Sequence, residues 1–291
     1  MQDKIIYASA AESIIVRFAD TTRACRRAAR IHQTQGTATD SLCRVLTGAV
    51  LGAALMKSDD ELFTLSINSE GAVSYITATA SPDGSVKSLI DFDAPELGTT
   101  VSGSIGDGTL SIVREIGIGE PYRGSIPLVT GEIAEDLTAY FAISEQTPTS
   151  CALGEDIDEN FIKRAGGFLI QLMPDTPDTV IDALEKDLAG SESVCQLLEE
   201  HEDPRDLLKA LLPGFEISTY LEKDVRFDCS CSREKAEQAL ISTGRENLEE
   251  MISEEKSFPV VCPYCKTSYT FEKEDLKNLL QEADNKKKPK A

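Results

Sequence analysis

Leu62-Phe-Thr-Leu-Ser-Ile-Asn-Ser-Glu-Gly-Ala-Val-Ser-Tyr-Ile-Thr-Ala-Thr-Ala-Ser-Pro-Asp-Gly-Ser-Val-Lys-Ser-Leu-Ile-Asp91 is the stretch on which the fold of this chain turns. Three strand-like runs, 62–67, 72–80 and 85–91, are separated by Asn68-Ser-Glu-Gly71 and Pro82-Asp-Gly84, which is hairpin and turn chemistry. Connections this short leave no room for a crossover helix, so consecutive strands pair antiparallel. Upstream, Asp40 can cap a helix running to about Lys57, in which Leu42, Val45, Leu46, Ala49, Val50, Ala53 and Leu55 leave almost no polar face. A helix apolar all round is a buried one. Downstream come strand patterns at 109–115 and 121–130, a helical pattern from Glu132 to Ser144, and a strand ending in Phe168-Leu-Ile-Gln-Leu-Met173. The order is that of an α+β protein, not of alternating βαβ units. Residues 1–175 are expected to form an N-terminal body of helices and antiparallel sheet.

The whole chain has 291 residues, with 50 acidic and 29 basic side chains and a net charge of −21. Such a surface repels phosphate and anionic lipid, which argues against nucleic acid or a membrane as partner. Hydrophobic content of 41% beside 27% charged residues is that of a folding chain. There is no Trp, and two His leave few options for His-based catalysis or metal binding. The opening Met1-Gln-Asp-Lys-Ile-Ile-Tyr lacks a basic segment followed by a long apolar run, and the most apolar stretch, Gly48 to Met56, is too short for a span of ~20 residues. The expected compartment is the cytosol, where eight cysteines are not expected to be permanent disulfides.

The charge is unevenly spread: +3 over residues 1–50, −13 over 51–170, −10 over 171–228 and −1 over 229–291. Half of the excess thus sits in a short connector. Residues 176–228 read as an acidic helical linker with three stops and starts. Thr176-Pro177 supplies a cap and a Pro for a first helical position, with a stripe of Val180, Ile181, Leu184 and Leu188 before Gly190. Ser193 and Gln196 fit a capping box, and Asp203-Pro204 opens a helix bearing Leu207, Leu208, Leu211 and Leu212 before Pro213-Gly214. Helices this short are marginal alone and depend on docking their stripes elsewhere. The linker is therefore expected to be metastable.

The strongest chemical signal follows: Cys229-Ser-Cys231 and, thirty intervening residues later, Cys262-Pro-Tyr-Cys265. Two close thiolate pairs suit one tetrahedral zinc ion, with Zn–S bonds of ~2.3 Å. Cys262 and Cys265 have a normal knuckle spacing; Cys229 and Cys231 would share one side of an extended strand. Residues 229–280 are expected to be a small zinc-binding domain, followed by a basic flexible tail over 281–291. So short a segment buries little core, and structural zinc is worth roughly 10–16 kcal/mol in small peptides, so oxidising the thiolates removes ligands and stability together. A bond between residues i and i+2 of a strand, roughly 6.6 Å apart, bends the backbone away from its metal-bound form, which makes the two states exclusive.

Cys43 and Cys195 lie on apolar helix faces and Cys151 at a strand start, where a small buried hydrophobe is the simplest role. Cys25, among Arg23, Arg26 and Arg27, sits where cations can lower a thiol pKa. Arg23, Arg26, Arg27 and Arg30 share a helix face that no aromatic residue interleaves, so a solvated or ion-paired face is expected rather than a phosphate site. His32 and His201 have no nucleophile signature near them, there is no GxxxxGK[ST], and Gly103-Ser-Ile-Gly106-Asp-Gly108 reads as a turn.

With the quartet placed, the chain from about His32 to Leu280 resembles the redox-regulated 33-kilodalton heat-shock chaperones, also called 33 kDa chaperonins. The resemblance is carried by Asp228-Cys-Ser-Cys-Ser-Arg-Glu234 and Val261-Cys-Pro-Tyr-Cys265, by Leu128-Val-Thr-Gly-Glu-Ile133 continuing to Ser144-Glu-Gln-Thr-Pro148, and by Ala165-Gly-Gly-Phe-Leu-Ile-Gln-Leu-Met-Pro174. The turn at Glu70-Gly-Ala72 lacks the Gly-Pro expected in that family. The resemblance implies a non-enzymatic, ATP-independent holdase that is inactive when reduced and zinc-bound. It further implies disulfides Cys229 with Cys231 and Cys262 with Cys265 on oxidation, zinc release, unfolding of the linker and C-terminal domain, dimerisation, and capture of unfolding client proteins. The client surface is expected along the stripes Val180 to Leu188 and Leu207 to Leu212 and on the body beneath them. Two other functions stay open on the residues alone. One is a constitutive zinc-module adaptor for protein or RNA; the other is an oxidoreductase using Cys262 and Cys265, for which the thioredoxin-like βαβ context is missing.

Overall fold

A computed structural model describes residues 2–117, 119–159, 161–254 and 257–286. The chain divides into two compact units, Met1–Asp228 and Cys229–Ala291.

In the first unit the antiparallel expectation holds. Strands β3 (Leu62–Ser69), β4 (Tyr75–Ala80) and β5 (Ser85–Asp91) pair in sequence through the two predicted turns. With β6 (Gly108–Glu115), β7 (Tyr122–Pro127) and the short β11 (Arg226–Phe227) they make a six-stranded sheet of order β11-β5-β4-β3-β6-β7. Among the described residues, the β11–β5 pairing alone is parallel. A second, wholly antiparallel sheet has the order β10-β1-β2-β9-β8, from β1 (Lys4–Ala10), β2 (Ile14–Asp20), β8 (Thr149–Asp158), β9 (Phe161–Leu172) and β10 (Ile217–Asp224).

Helix α2 (Thr37–Ala53) packs against strands of both sheets, and fifteen of its seventeen residues are buried, as a helix with apolar side chains on every face requires. It starts three residues before Asp40, because Thr37 is anchored by a 2.6 Å hydrogen bond with Ser104, and it stops at Ala53, four residues short of Lys57. Helices α1 (Thr22–His32) and α4 (Ala134–Ser144) complete this core; a short α3 (Val101–Ile105) flanks it.

The second sheet is apolar on both faces because its strands alternate. Ile5 and Tyr7 point to the α1–α2 core, while Ile6, Ala8, Ile14, Val16, Phe18, Phe168 and Ile170 point the other way. That far face is covered by α5 (Asp178–Ala189), α6 (Val194–Glu200) and α7 (Pro204–Leu211), through Leu184, Val194, Leu197, Leu198, Leu207, Leu208 and Leu211. Their caps follow the sequence closely. Ser193 Oγ accepts from Gln196 N–H at 3.3 Å while Gln196 Oε1 accepts from Ser193 N–H at 3.1 Å, and Asp203 accepts from Arg205 N–H at 2.7 Å. Pro177 is the cap of α5 rather than its first helical residue.

One part of the expected helical linker is not helical. Ile217–Asp224 is an edge strand paired to β1, and Arg226–Phe227 joins the other sheet. Pairing to a strand more than two hundred residues upstream overrides the charge-rich local sequence.

Candidate metal centre

The second unit has a core of six buried apolar side chains, Ala236, Leu240, Leu248, Phe271, Leu276 and Leu279. They come from α8 (Arg233–Ser242), α9 (Arg245–Ser253), strand β13 (Ser268–Phe271), which pairs antiparallel with β12 (Phe258–Val261), and α10 (Lys273–Lys286). The last helix continues six residues beyond Leu280, where the flexible tail was expected to begin; residues 287–291 of that tail lie outside the described residues.

Cys262 and Cys265 sit in the tight turn of the β12–β13 hairpin. Lys266 N–H donates to Cys262 C=O and Cys262 N–H to Thr267 C=O, both at 2.9 Å, and Lys266 takes φ +58° to complete the turn. Cys229 and Cys231 do not lie on a paired strand, as the sequence suggested, but in irregular chain between β11 and α8. Their sulfurs still converge with those of the hairpin. Ser232 Oγ, accepting from Lys235 N–H, caps α8 immediately afterwards. Arg233 then fastens this segment to the hairpin side of the unit: its guanidinium lies 4.4 Å from the Phe271 ring centroid and donates to Thr270 C=O and to Asp275, each at 2.8 Å.

The four sulfurs all lie within 4.8 Å of one another. The closest approaches are Cys231 to Cys265 at 3.3 Å and Cys229 to Cys262 at 3.7 Å. A regular tetrahedron with ~2.3 Å bonds has edges of ~3.8 Å, so this cage has the size and the donor set for zinc. The four thiols are electrostatically unequal. Burial pushes the Cys229 thiol up to about 12. At Cys265 burial also raises the thiol, but hydrogen bonds from the Thr267 hydroxyl and backbone N–H outweigh it and bring it down to about 6. A divalent cation binding here therefore displaces protons, which makes its affinity depend on pH.

The remaining cysteines lie in the body. Cys25 and Cys43 are sealed in its core, so Cys25 faces the interior and not the arginines around it in sequence. Burial pushes Cys151 and Cys195 up to about 12. Arg26 donates to the carbonyls of Ile162 and Lys163 and stacks over Phe161, and Arg27 lies over Phe227, so half of the basic run is engaged in packing the body. His32 Nε2 bonds Ser88 C=O at 2.8 Å.

Several residues that matter escape any sequence pattern. Asp3, just before β1, caps α1 from a distance along the chain, accepting from Arg23 N–H at 2.9 Å and Ala24 N–H at 2.7 Å. Asp136, fully buried, accepts from the N–H groups of Val129, Thr130 and Ile133 and so organises the Leu128–Ile133 loop. Arg44 binds Glu155 through Nη2 at 2.8 Å and Nε at 3.0 Å, and Glu132 through Nη1 at 2.7 Å. In Ala165-Gly-Gly-Phe168, Gly166 faces Gly154 across the β8–β9 ladder; a Cβ on Gly166 would lie 2.8 Å from Leu198 Cδ1, and one on Gly154 3.3 Å from Val194 Cβ. The two glycines form a flat seat for α6.

Comparison with known proteins agrees with this architecture. The family model described as Hsp33 protein matches residues 3–272. A 33 kDa chaperonin of Lachnoclostridium phytofermentans is 38% identical over 96% of this chain and 99% of its own length, and one of Clostridioides difficile is 36% identical over 97% and 100%. The crystal structure of the 33 kDa chaperonin (heat shock protein 33 homolog) of Thermotoga maritima superposes with a TM-score of 0.87 at 29% identity, covering 98% of this chain and all of that one. A match of this extent, in sequence and in fold, places the chain in the Hsp33 family of chaperones.

Proposed function

We propose that this chain is an ATP-independent holdase whose client surface is closed by the linker in the reduced state and opened by oxidation of the quartet. The observation that carries the proposal is the second sheet. Its far face is an apolar surface of Ile6, Ala8, Ile14, Val16, Phe18, Phe168 and Ile170, and the three short helices α5, α6 and α7 lie over it. An apolar patch of that kind, once bared, binds other exposed apolar chains. The linker stripes add their own leucines to the same surface.

Zinc held by Cys229, Cys231, Cys262 and Cys265 supplies folding free energy to a unit whose own core is small. Peroxide takes the thiolates to disulfides, and the ligands disappear with them. Following the family, the pairs are Cys229 with Cys231 and Cys262 with Cys265; because the shortest sulfur contacts run between the two motifs, peptide mapping of the oxidised protein is the direct check. Oxidised chains then dimerise and hold unfolding clients in the cytoplasm. No helix among the described residues is long and apolar enough to cross a membrane.

The test follows trypsin cleavage at Arg205 and Lys209 of α7 while the protein is oxidised by hydrogen peroxide at elevated temperature, with light scattering of an aggregating client measured in parallel. Cleavage and suppression should rise together. Suppression with α7 still protected would overturn the linker as the cover, and retained metal with unchanged protection after oxidation would favour a constitutive zinc-module adaptor.

A further inference from the structure

Outside the quartet, two cysteines on different helices meet inside the body. Thr21, at the start of α1, and Thr47, on α2, share a hydrogen bond of 2.6 Å between their hydroxyls. One turn along α1 from Thr21 lies Cys25, and one turn back along α2 from Thr47 lies Cys43. The two helices therefore present matched pairs, Thr21 with Thr47 and Cys25 with Cys43, at the same close approach. Cys25 Sγ is 3.6 Å from Thr21 Oγ1 and 3.9 Å from Cys43 C=O. Both residues are at most 1% exposed.

We propose that Cys25 and Cys43 form a second thiol–disulfide couple, built into the α1–α2 contact and separate from the cysteine quartet. With Cys25 Sγ lying against the backbone of Cys43, a disulfide of ~2.05 Å can form between these two helices without a change of partner helix. Burial shuts both sulfurs away from solvent, so an oxidant reaches them only when the contact between α1 and α2 loosens. The couple thus responds to oxidant and loss of body structure together, a harsher condition than the one that reaches the partly exposed quartet.

The chemistry balances with a peroxide as the oxidant. Hydrogen peroxide converts one thiol to a sulfenic acid: an S–O bond forms, the O–O bond breaks, and the thiol hydrogen leaves in water. The partner sulfur attacks that sulfur; the S–S bond forms as the S–O bond breaks, and hydroxide leaves with the second thiol hydrogen as another water. The two sulfurs together lose two electrons and the peroxide gains them.

The test uses the full-length, zinc-loaded natural chain. It is treated with hydrogen peroxide, once fully folded and once at a guanidinium concentration near the midpoint of body unfolding. Free thiols are blocked with N-ethylmaleimide, and tryptic peptides are read by mass spectrometry. The signature is Ala24-Cys25-Arg26 joined to residues 31–44, two hydrogens lighter than the separate peptides. In the loosened sample this pair should exceed by several-fold the roughly one-in-seven share that random pairing of eight cysteines gives; in the folded sample it should be absent while the quartet oxidises. Separate alkylation of Cys25 and Cys43, or pairing at the random share, in the loosened sample overturns the couple. Its formation in the folded sample as fast as quartet oxidation overturns the sealing.

Discussion

Replacing Gly154 by Val should open the linker without any oxidation. The position lies on β8 facing α6, and a Cβ there already stands 3.3 Å from Val194 Cβ and 3.7 Å from Cys195 Sγ. Valine adds two more methyl groups on that side, and as a good strand former it does not weaken β8 itself. Overpacking of this kind costs about 1–3 kcal/mol. Helix α6 has seven residues and docks through Val194, Leu197 and Leu198, each worth about 2 kcal/mol of burial, so the strain is a large part of what holds it. At 1.4 kcal/mol per tenfold, its docking equilibrium shifts by about 5- to 150-fold. Hydrogen exchange at the Leu197 and His201 amides, which close the helix, reads that shift directly. Light scattering of an aggregating client reads the consequence in the reduced, zinc-loaded protein, where partial suppression is expected. Faster exchange in α6 with no suppression would refute the sheet face as client surface, and unchanged exchange would refute the glycine seat.

Other perturbations reach different parts of the structure. Cys231→Ser should weaken zinc binding by more than the 10–100-fold typical of losing an outer-shell partner, as measured by competition with a chromophoric chelator; full affinity would remove Cys231 from the ligand set. Burial holds the Asp3 carboxyl up at about 6, above the 3.8 of an open chain, so its protonated form favours folding. Its contribution is fully present below pH 3.8 and lost as pH rises through 6, a span of about 3 kcal/mol. Guanidinium denaturation of the metal-free protein between pH 4 and 7 should lose that component in Asp3→Asn. Arg44→Ala leaves the Glu155 carboxylate, 7% exposed, without its bidentate partner and should destabilise the body by about 3–5 kcal/mol, partly recovered when Glu155→Gln is added.

Locality decides which of these features a sequence displays. The hairpins of 62–91 and the caps at Ser193 and Asp203 are written in neighbouring residues, and the structure reproduces them almost residue for residue. The cysteine quartet is equally plain, since two short spacings bring four sulfurs together. What stayed hidden is non-local. Ile217–Asp224 ends in three charged residues, Glu222, Lys223 and Asp224, in a strand held by its pairing to β1. The cap on α1 comes from Asp3, twenty residues away, because the local Thr21 side chain makes no cap. Gly154 and Gly166 have meaning only as partners across a ladder beneath a helix from a third segment. Cys229 and Cys231 bring their sulfurs to the cluster from irregular chain, not through strand alternation.

The central claim, that losing zinc from the quartet uncovers the apolar sheet face, is tested most directly by measuring zinc content and client aggregation on one sample, first reduced and then oxidised with peroxide at elevated temperature. One zinc per chain without suppression, followed by zinc release with suppression, is the expected pair of results. Zinc release and disulfide formation in a protein that still leaves its client to aggregate would contradict the claim.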